Sequence, residues 1–261
     1  LQQVKNNFRQ GVEDAAGVAA VLYSDALLYQ FLDMEYNNPV QFIHGYNNNF
    51  RDINRYTPGS SSINAIHLYT ENPTVITAGG VFSINEETRE ERWYKVTENG
   101  RKEYPILTRK MSDDGQFDEF VVVRDLGGSL RKYEKIVMIY LTKRFIVQSF
   151  DSVTFEGEIY LLNDSGEIQY TTDKNIKWSQ EDIHFHTIQL EEESIVMEDE
   201  YQHRFLEGWQ IVGIIPKANL TSEVRNSIFS IFYLALFNFV IPSLFITYIA
   251  GNIHFRMKSI V

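Results

Sequence analysis

The sequence predicts an α+β protein: a long N-terminal helix, two small mainly antiparallel-sheet modules, and a C-terminal transmembrane helix. Three features predict this. Ile228–Ala250 reads IFSIFYLALFNFVIPSLFITYIA without a charged residue. Residues 1–35 repeat apolar side chains at helical spacing. Between these two stretches, short apolar runs alternate with turns rich in Asn, Asp, Gly and Pro, as strands do.

The first helix carries Val4, Phe8, Val12, Ala15, Ala19 and Leu22 along one face, at steps of three and four. Asn37-Asn38-Pro39 ends it, because proline disfavours a helical residue before it. A second helix is predicted over 39–55, with Val40, Ile43, Tyr46 and Phe50 on one side. Thr57-Pro58-Gly59-Ser60 breaks the chain.

Strands follow. Ile63–Tyr69 and Val75–Ala78 bracket a turn at Glu71-Asn72-Pro73. Alternation puts Ile63, Ala65, His67 and Tyr69 on one face of the first strand. Residues 86–97 read as helix and contain Arg92-Trp93-Tyr94. Ile106–Lys110, Glu119–Val123 and Lys135–Leu141 read as strands, with Asp113-Asp114-Gly115 as the hairpin signal between the first two. A short helix is predicted over 143–153.

The second strand set begins at Gly157. Ile159–Leu162 and Ile168–Thr171 flank the turn Asn163-Asp164-Ser165-Gly166, and Thr187–Met197 and Trp209–Ile215 complete the set. Glu198–Glu207 reads as a polar turn. The predicted division is 1–56 for the stalk helix and second helix, 57–153 for a membrane-distal module, and 154–220 for a membrane-proximal module. Residues 226–250 form the membrane helix and 251–261 a cytoplasmic start. Each module has a PAS-like layout.

About 23 helical residues at roughly 1.5 Å each reach about 35 Å, enough to cross a hydrocarbon core of about 30 Å. Arg256 and Lys258 follow the span, which favours a cytoplasmic C-terminus and places residues 1 to about 225 outside the cell. An ectodomain needs something to translocate it, so an earlier membrane helix is expected before Leu1. Asn238, inside the span, suits a hydrogen bond across a helix pair worth about 1 kcal/mol.

The net charge is −11, which argues against nucleic acid and against a surface that hugs anionic lipid. The absence of cysteine excludes a disulfide framework, a thiolate nucleophile and a cysteine zinc site. No nucleophile elbow, phosphate loop or HExxH occurs, so no catalytic residue and no cofactor is assigned. His184 and His186, with Glu191–Glu193 nearby, lack a third fixed ligand at metal spacing, so no metal site is assigned either.

Trp93 and Tyr94 are the first candidates for a ligand pocket, since aromatic faces suit sugar rings or amines. The same two residues serve equally well to pack their helix on the sheet. His67, Tyr69, Arg109, Arg124 and Asp125 are candidates for polar contacts, as is Lys110; each also reads as a solvated strand residue.

The order of elements resembles a known family. The telling pieces are Trp93-Tyr94, the hairpin EIYLLNDSGEIQY, and GWQIVGIIPKANL running into the membrane helix. Together they resemble the double-Cache ectodomain of bacterial sensor histidine kinases of the YesM-like type. The tail with Arg256 and Lys258 resembles the start of a HAMP linker.

The resemblance implies a homodimeric receptor whose distal module takes a small-molecule ligand, with a sugar, an oligosaccharide or a sugar-binding protein as partner. It implies a cytoplasmic kinase and a phosphorelay downstream; this segment is not itself an enzyme. A chemoreceptor, a cyclic-dinucleotide enzyme and a membrane-anchored hydrolase are the alternatives. Amino-acid-binding members carry Arg two residues before Trp-Tyr, where this chain has Glu91, which speaks against amino-acid sensing.

Overall fold

The computed structural model describes residues 1–51, 62–99, 104–111, 118–127, 132–151, 155–176, 183–188 and 194–258. They form two compact units: Leu1–Gln189 with Met197–Gly213, and Leu190–Val196 with Ile214–Val261.

The first unit opens on α1 (Gln2–Tyr23). Its predicted apolar face, Val4 to Leu22, is buried throughout. Phe8 sits among Phe120, Phe145, Phe150 and Tyr201, with ring centroids at 5.8, 6.3, 5.7 and 6.2 Å. Full burial of such a side chain is worth about 1.5–3 kcal/mol, so this ring is a hub of the core.

The helix does not run on to residue 35. It ends at Tyr23, and α2 (Ala26–Asp33) leaves at 66°. Asp25 causes the break: its carboxylate accepts the Leu27 and Leu28 N–H groups and caps α2 instead of continuing α1.

Helix α3 (Pro39–Gly45) starts on Asn38, whose side chain accepts the Gln41 N–H, and passes into a π turn at Tyr46–Phe50. Its predicted face is corrected. Val40 and Ile43 are 63% and 54% exposed and Phe42 is buried instead, while Phe50 is buried as predicted. Phe31, Tyr36, Phe42, Tyr46 and Phe50 form one ring cluster, and these larger surfaces outcompete the two aliphatic residues for the core.

Strands β1 (Ile63–Thr70), β2 (Val81–Ser83), β3 (Ile106–Met111), β4 (Asp118–Asp125) and β5 (Lys135–Leu141) form a sheet ordered β2-β1-β5-β4-β3. All neighbours are antiparallel except β1 and β2, which are parallel. The strand expected at Val75–Ala78 is absent from that span; the strand is Val81–Ser83. Buried Asn72 explains this. Its Nδ2 donates to the Leu32 and Met34 carbonyls at 2.9 and 2.8 Å, and its Oδ1 accepts the Thr74 N–H, which winds the chain into a turn. The predicted hairpin at Asp113-Asp114-Gly115 lies outside the described residues.

Strand β5 is buried on both faces, so its residues read as a continuous apolar run. Val137, Ile139 and Leu141 meet the α1 side, and Ile136, Met138 and Tyr140 the other. A register shift between Ile63 and Ala65 puts Ile63 on the α1 side, away from Ala65, His67 and Tyr69. The second face is covered by α4 (Glu86–Glu90) and α5 (Arg92–Asn99).

After α6 (Lys143–Asp151) come β6 (Glu158–Leu162), β7 (Ile168–Thr171), β8 (Ser194–Glu200) and β9 (Gln210–Pro216), in a second sheet ordered β7-β6-β9-β8. Thr187, expected to open a strand, lies in a 3-10 turn at Phe185–Thr187 with His186; β8 starts at Ser194. Gly166, with φ +77°, closes the β6–β7 turn where the sequence placed it.

In the second unit, α7 (Lys217–Lys258) holds the apolar stretch Ser227–Ala250, of which no part is buried. Among the described residues it is the one unbroken helix long and apolar enough to cross a membrane. An uncovered apolar surface of this extent needs lipid or another apolar partner. Asn238 Nδ2 donates to the Leu234 carbonyl at 3.0 Å, so its amide is engaged inside its own helix.

Candidate ligand-binding site

Four of the candidate residues meet on one face of the first sheet. The cap at Asn85, whose side chain accepts the Thr88 N–H at 2.8 Å, starts α4. Glu91 is extended and starts a new helix, α5, which lays Trp93 and Tyr94 on the sheet. Trp93 meets Tyr69 at 4.8 Å with tilted rings, and Tyr69 stacks on Phe82 at 5.3 Å. His67 lies 4.8 Å from Phe82 and 4.6 Å from Tyr140.

This cluster is closely packed. Trp93 is 1% and Tyr94 3% exposed, so both currently hold α5 on the sheet. Their polar tips are satisfied by the protein: Trp93 Nε1 donates to Glu91 at 2.5 Å, and the Tyr94 hydroxyl donates to Glu134 at 2.7 Å. Arg89 donates to the Tyr94 oxygen, to Glu71 and to Glu134. Burial, reinforced by Glu134, pushes the Tyr94 hydroxyl pKa well above the usual phenol range. Burial does the same to Tyr140, so both remain donors at physiological pH.

Three of the other candidates lie elsewhere. Arg109 is buried on β3 opposite Phe120, which belongs to the α1-side core. Arg124 also faces α1, with its guanidinium 3.9 Å from the Tyr23 ring centre, and burial lowers its pKa. The Asp125 carboxylate turns back to accept the Gly127 N–H. Lys110 is on the aromatic face, 6.0 Å from the Tyr140 ring centre. Among the described residues no cluster of His, Asp and Glu is arranged to hold a metal ion.

A cleft of about 720 Å³ opens on another side of α5. Edge strand β3, the β6–β7 turn and the turn at 204–209 complete its walls. None of the sequence-picked residues lines it. Arg92 pairs with Glu167 across it at 2.5 Å, and Asn163 supports Glu167 by donating at 2.7 Å. Arg204 lies over Tyr104, 4.9 Å from the ring centre. Sequence reasoning missed these residues. Arg204 sits in a stretch that reads as a plain polar turn, and nothing local signals that the turn meets Tyr104.

No family model matches the chain, and no curated protein matches it. Solved structures do. The sensor domain of the V. cholerae histidine kinase DctB superposes with a TM-score of 0.54 at 9% identity, covering 83% of this chain and 94% of that one. The ligand-binding domain of the Campylobacter jejuni chemoreceptor Tlp3, in complex with L-norvaline, gives 0.50 at 12% identity, covering 82% and 88%. The chain has the fold of these extracellular sensor domains. The likeness carries the fold alone.

Proposed function

We propose that this chain is the extracellular ligand-sensing region of a membrane receptor, with α7 as its route through the bilayer. One observation carries the reading: a sensor-domain fold whose last strand, β9, runs in sequence directly into an exposed apolar helix. We assign it to a YesM-like sensor histidine kinase, with residues 57–153 as the distal and 154–220 as the proximal Cache module. Residues after the span would start a HAMP linker inside the cell. This segment performs no catalysis; the full-length receptor would carry the kinase and feed a phosphorelay. A chemoreceptor output is the second reading, favoured by the Tlp3 likeness, and the sequence after Val261 separates the two.

The ligand is a small molecule, with a sugar or oligosaccharide first, held on the α4–α5 face by Trp93, Tyr94, Tyr69 and His67. Because Trp93 and Tyr94 are buried, binding requires α4 and α5 to lift from the sheet. The ligand therefore acts by preferring the opened state, and only its differential affinity moves the equilibrium. In a homodimer, a shift of about 1–2 Å in the helix is of the scale such switches use.

The test is a thermal-shift screen of the full chain in lipid nanodiscs against sugars, amino acids and dicarboxylates. A specific ligand at a hundredfold excess over its Kd stabilises by about 2.7 kcal/mol. A shift that Trp93→Phe diminishes, in a variant that still melts cooperatively, supports the assignment. No shift from any class, or one indifferent to Trp93→Phe, refutes binding at this face.

A further inference from the structure

We propose that the cleft between β3, α5 and the β6–β7 turn is a separate binding site for a small organic carboxylate with an apolar body, and that Arg204 is the residue that recognises its charge. The proposal does not require the aromatic face to bind anything.

Two of the three cations lining the cleft are already matched: Arg92 pairs with Glu167 at 2.5 Å, and Lys95 with Glu90 at 2.6 Å. Glu207 has a partner of its own, and Asp164 sits in the turn beside Ser165. Arg204 is the remaining cation, and among the described residues it has no carboxylate partner; its one contact is with the Tyr104 ring. The guanidinium lies over the ring, 4.9 Å from its centre, and with no carboxylate partner among the described residues its N–H groups are available. That is the geometry for a bidentate hold on a carboxylate.

Next comes size. The cleft's roughly 720 Å³ far exceeds one carboxylate and falls in the range of small-molecule sites. Apolar side chains complete the lining: Val96, Ile106, Leu107, Phe205 and Trp209. They suit a short hydrocarbon or aromatic body attached to the acid. The two ion pairs leave Arg204 as the lining cation without a carboxylate among the described residues, while Asp164 and Glu207 are lining acids outside those pairs, so one carboxylate placed at Arg204 fits and a second negative charge does not.

The experiment titrates the full chain in nanodiscs with phenylacetate, isovalerate and indole-3-acetate by calorimetry, with empty nanodiscs subtracted. Phenylacetamide is the neutral control. At least one acid is expected to bind saturably. Its affinity should fall about tenfold or more for phenylacetamide in place of phenylacetate, or for Arg204→Gln, the worth of one charge-assisted contact. Arg204 is exposed, so this substitution leaves the core intact. No saturable binding of any of the three acids overturns the proposal. So does equal binding by Arg204→Gln, or equal binding of the acid and its amide.

Discussion

Removing Asp33 should destabilise the protein more than removing Lys135, although the two form one ion pair. Lys135 has a side chain with 0% exposure, and it reaches Asp33 at 2.6 Å and the Tyr133 carbonyl at 2.8 Å. Asp33 is 30% exposed at its side chain. In Asp33→Ala the ammonium keeps only the Tyr133 carbonyl as a partner. Stranding a buried charge in this way costs about 3–5 kcal/mol. In Lys135→Met the carboxylate is solvated through its exposed part while its buried oxygen loses its partner, and a chain of similar length fills the space, so the cost is about 1–3 kcal/mol. For a domain of this size, about 2–4 °C of Tm accompanies each kcal/mol. The first variant should melt about 6–20 °C lower, and the second by clearly less. Thermal unfolding of the full chain in detergent, followed by circular dichroism, measures both. Equal losses, or a larger loss for Lys135→Met, would refute the idea that burial asymmetry sets the cost.

Two further outcomes test the local physics. Burial pushes the Tyr36 hydroxyl from 10.0 up to about 12. Its proton is therefore retained in the fold after the unfolded chain would lose it, and stability should fall as pH rises between those values. Tyr36→Phe should flatten part of that alkaline slope. At neutral pH it should cost about 1 kcal/mol for the lost bond to the Phe31 carbonyl, and an unchanged slope in alkaline melts would contradict this. Gly208 has φ +81°, and a Cβ there would stand 2.8 Å from the Asp164 Cβ. Gly208→Ala should cost about 1–2 kcal/mol from the backbone alone, read as a lowered Tm.

Much of the fold was legible because it rests on local rules. The α1 face from Val4 to Leu22, the doubly buried β5 and the Asn163–Gly166 turn follow from periodicity and turn chemistry. What escaped depends on single polar side chains and distant partners. Asp25 chose a cap over a continued helix, Asn72 bound carbonyls on α2, and a ring cluster decided which face of α3 is buried. The site divided in the same way. The meeting of His67, Tyr69, Trp93 and Tyr94 follows from strand alternation under a helix, whereas Arg204 meets Tyr104 across 100 positions of chain that no local pattern relates. Arg109 and Arg124, plausible by composition, face the opposite side of the sheet.

The central claim is that α7 threads a bilayer with the sensor fold outside. The chain has no cysteine, so single cysteines report cleanly on sidedness. Ser165→Cys, at the tip of the β6–β7 turn, should react with a membrane-impermeant maleimide in intact cells, and Lys258→Cys only after lysis. Labelling of both from outside, or of neither, would contradict the account.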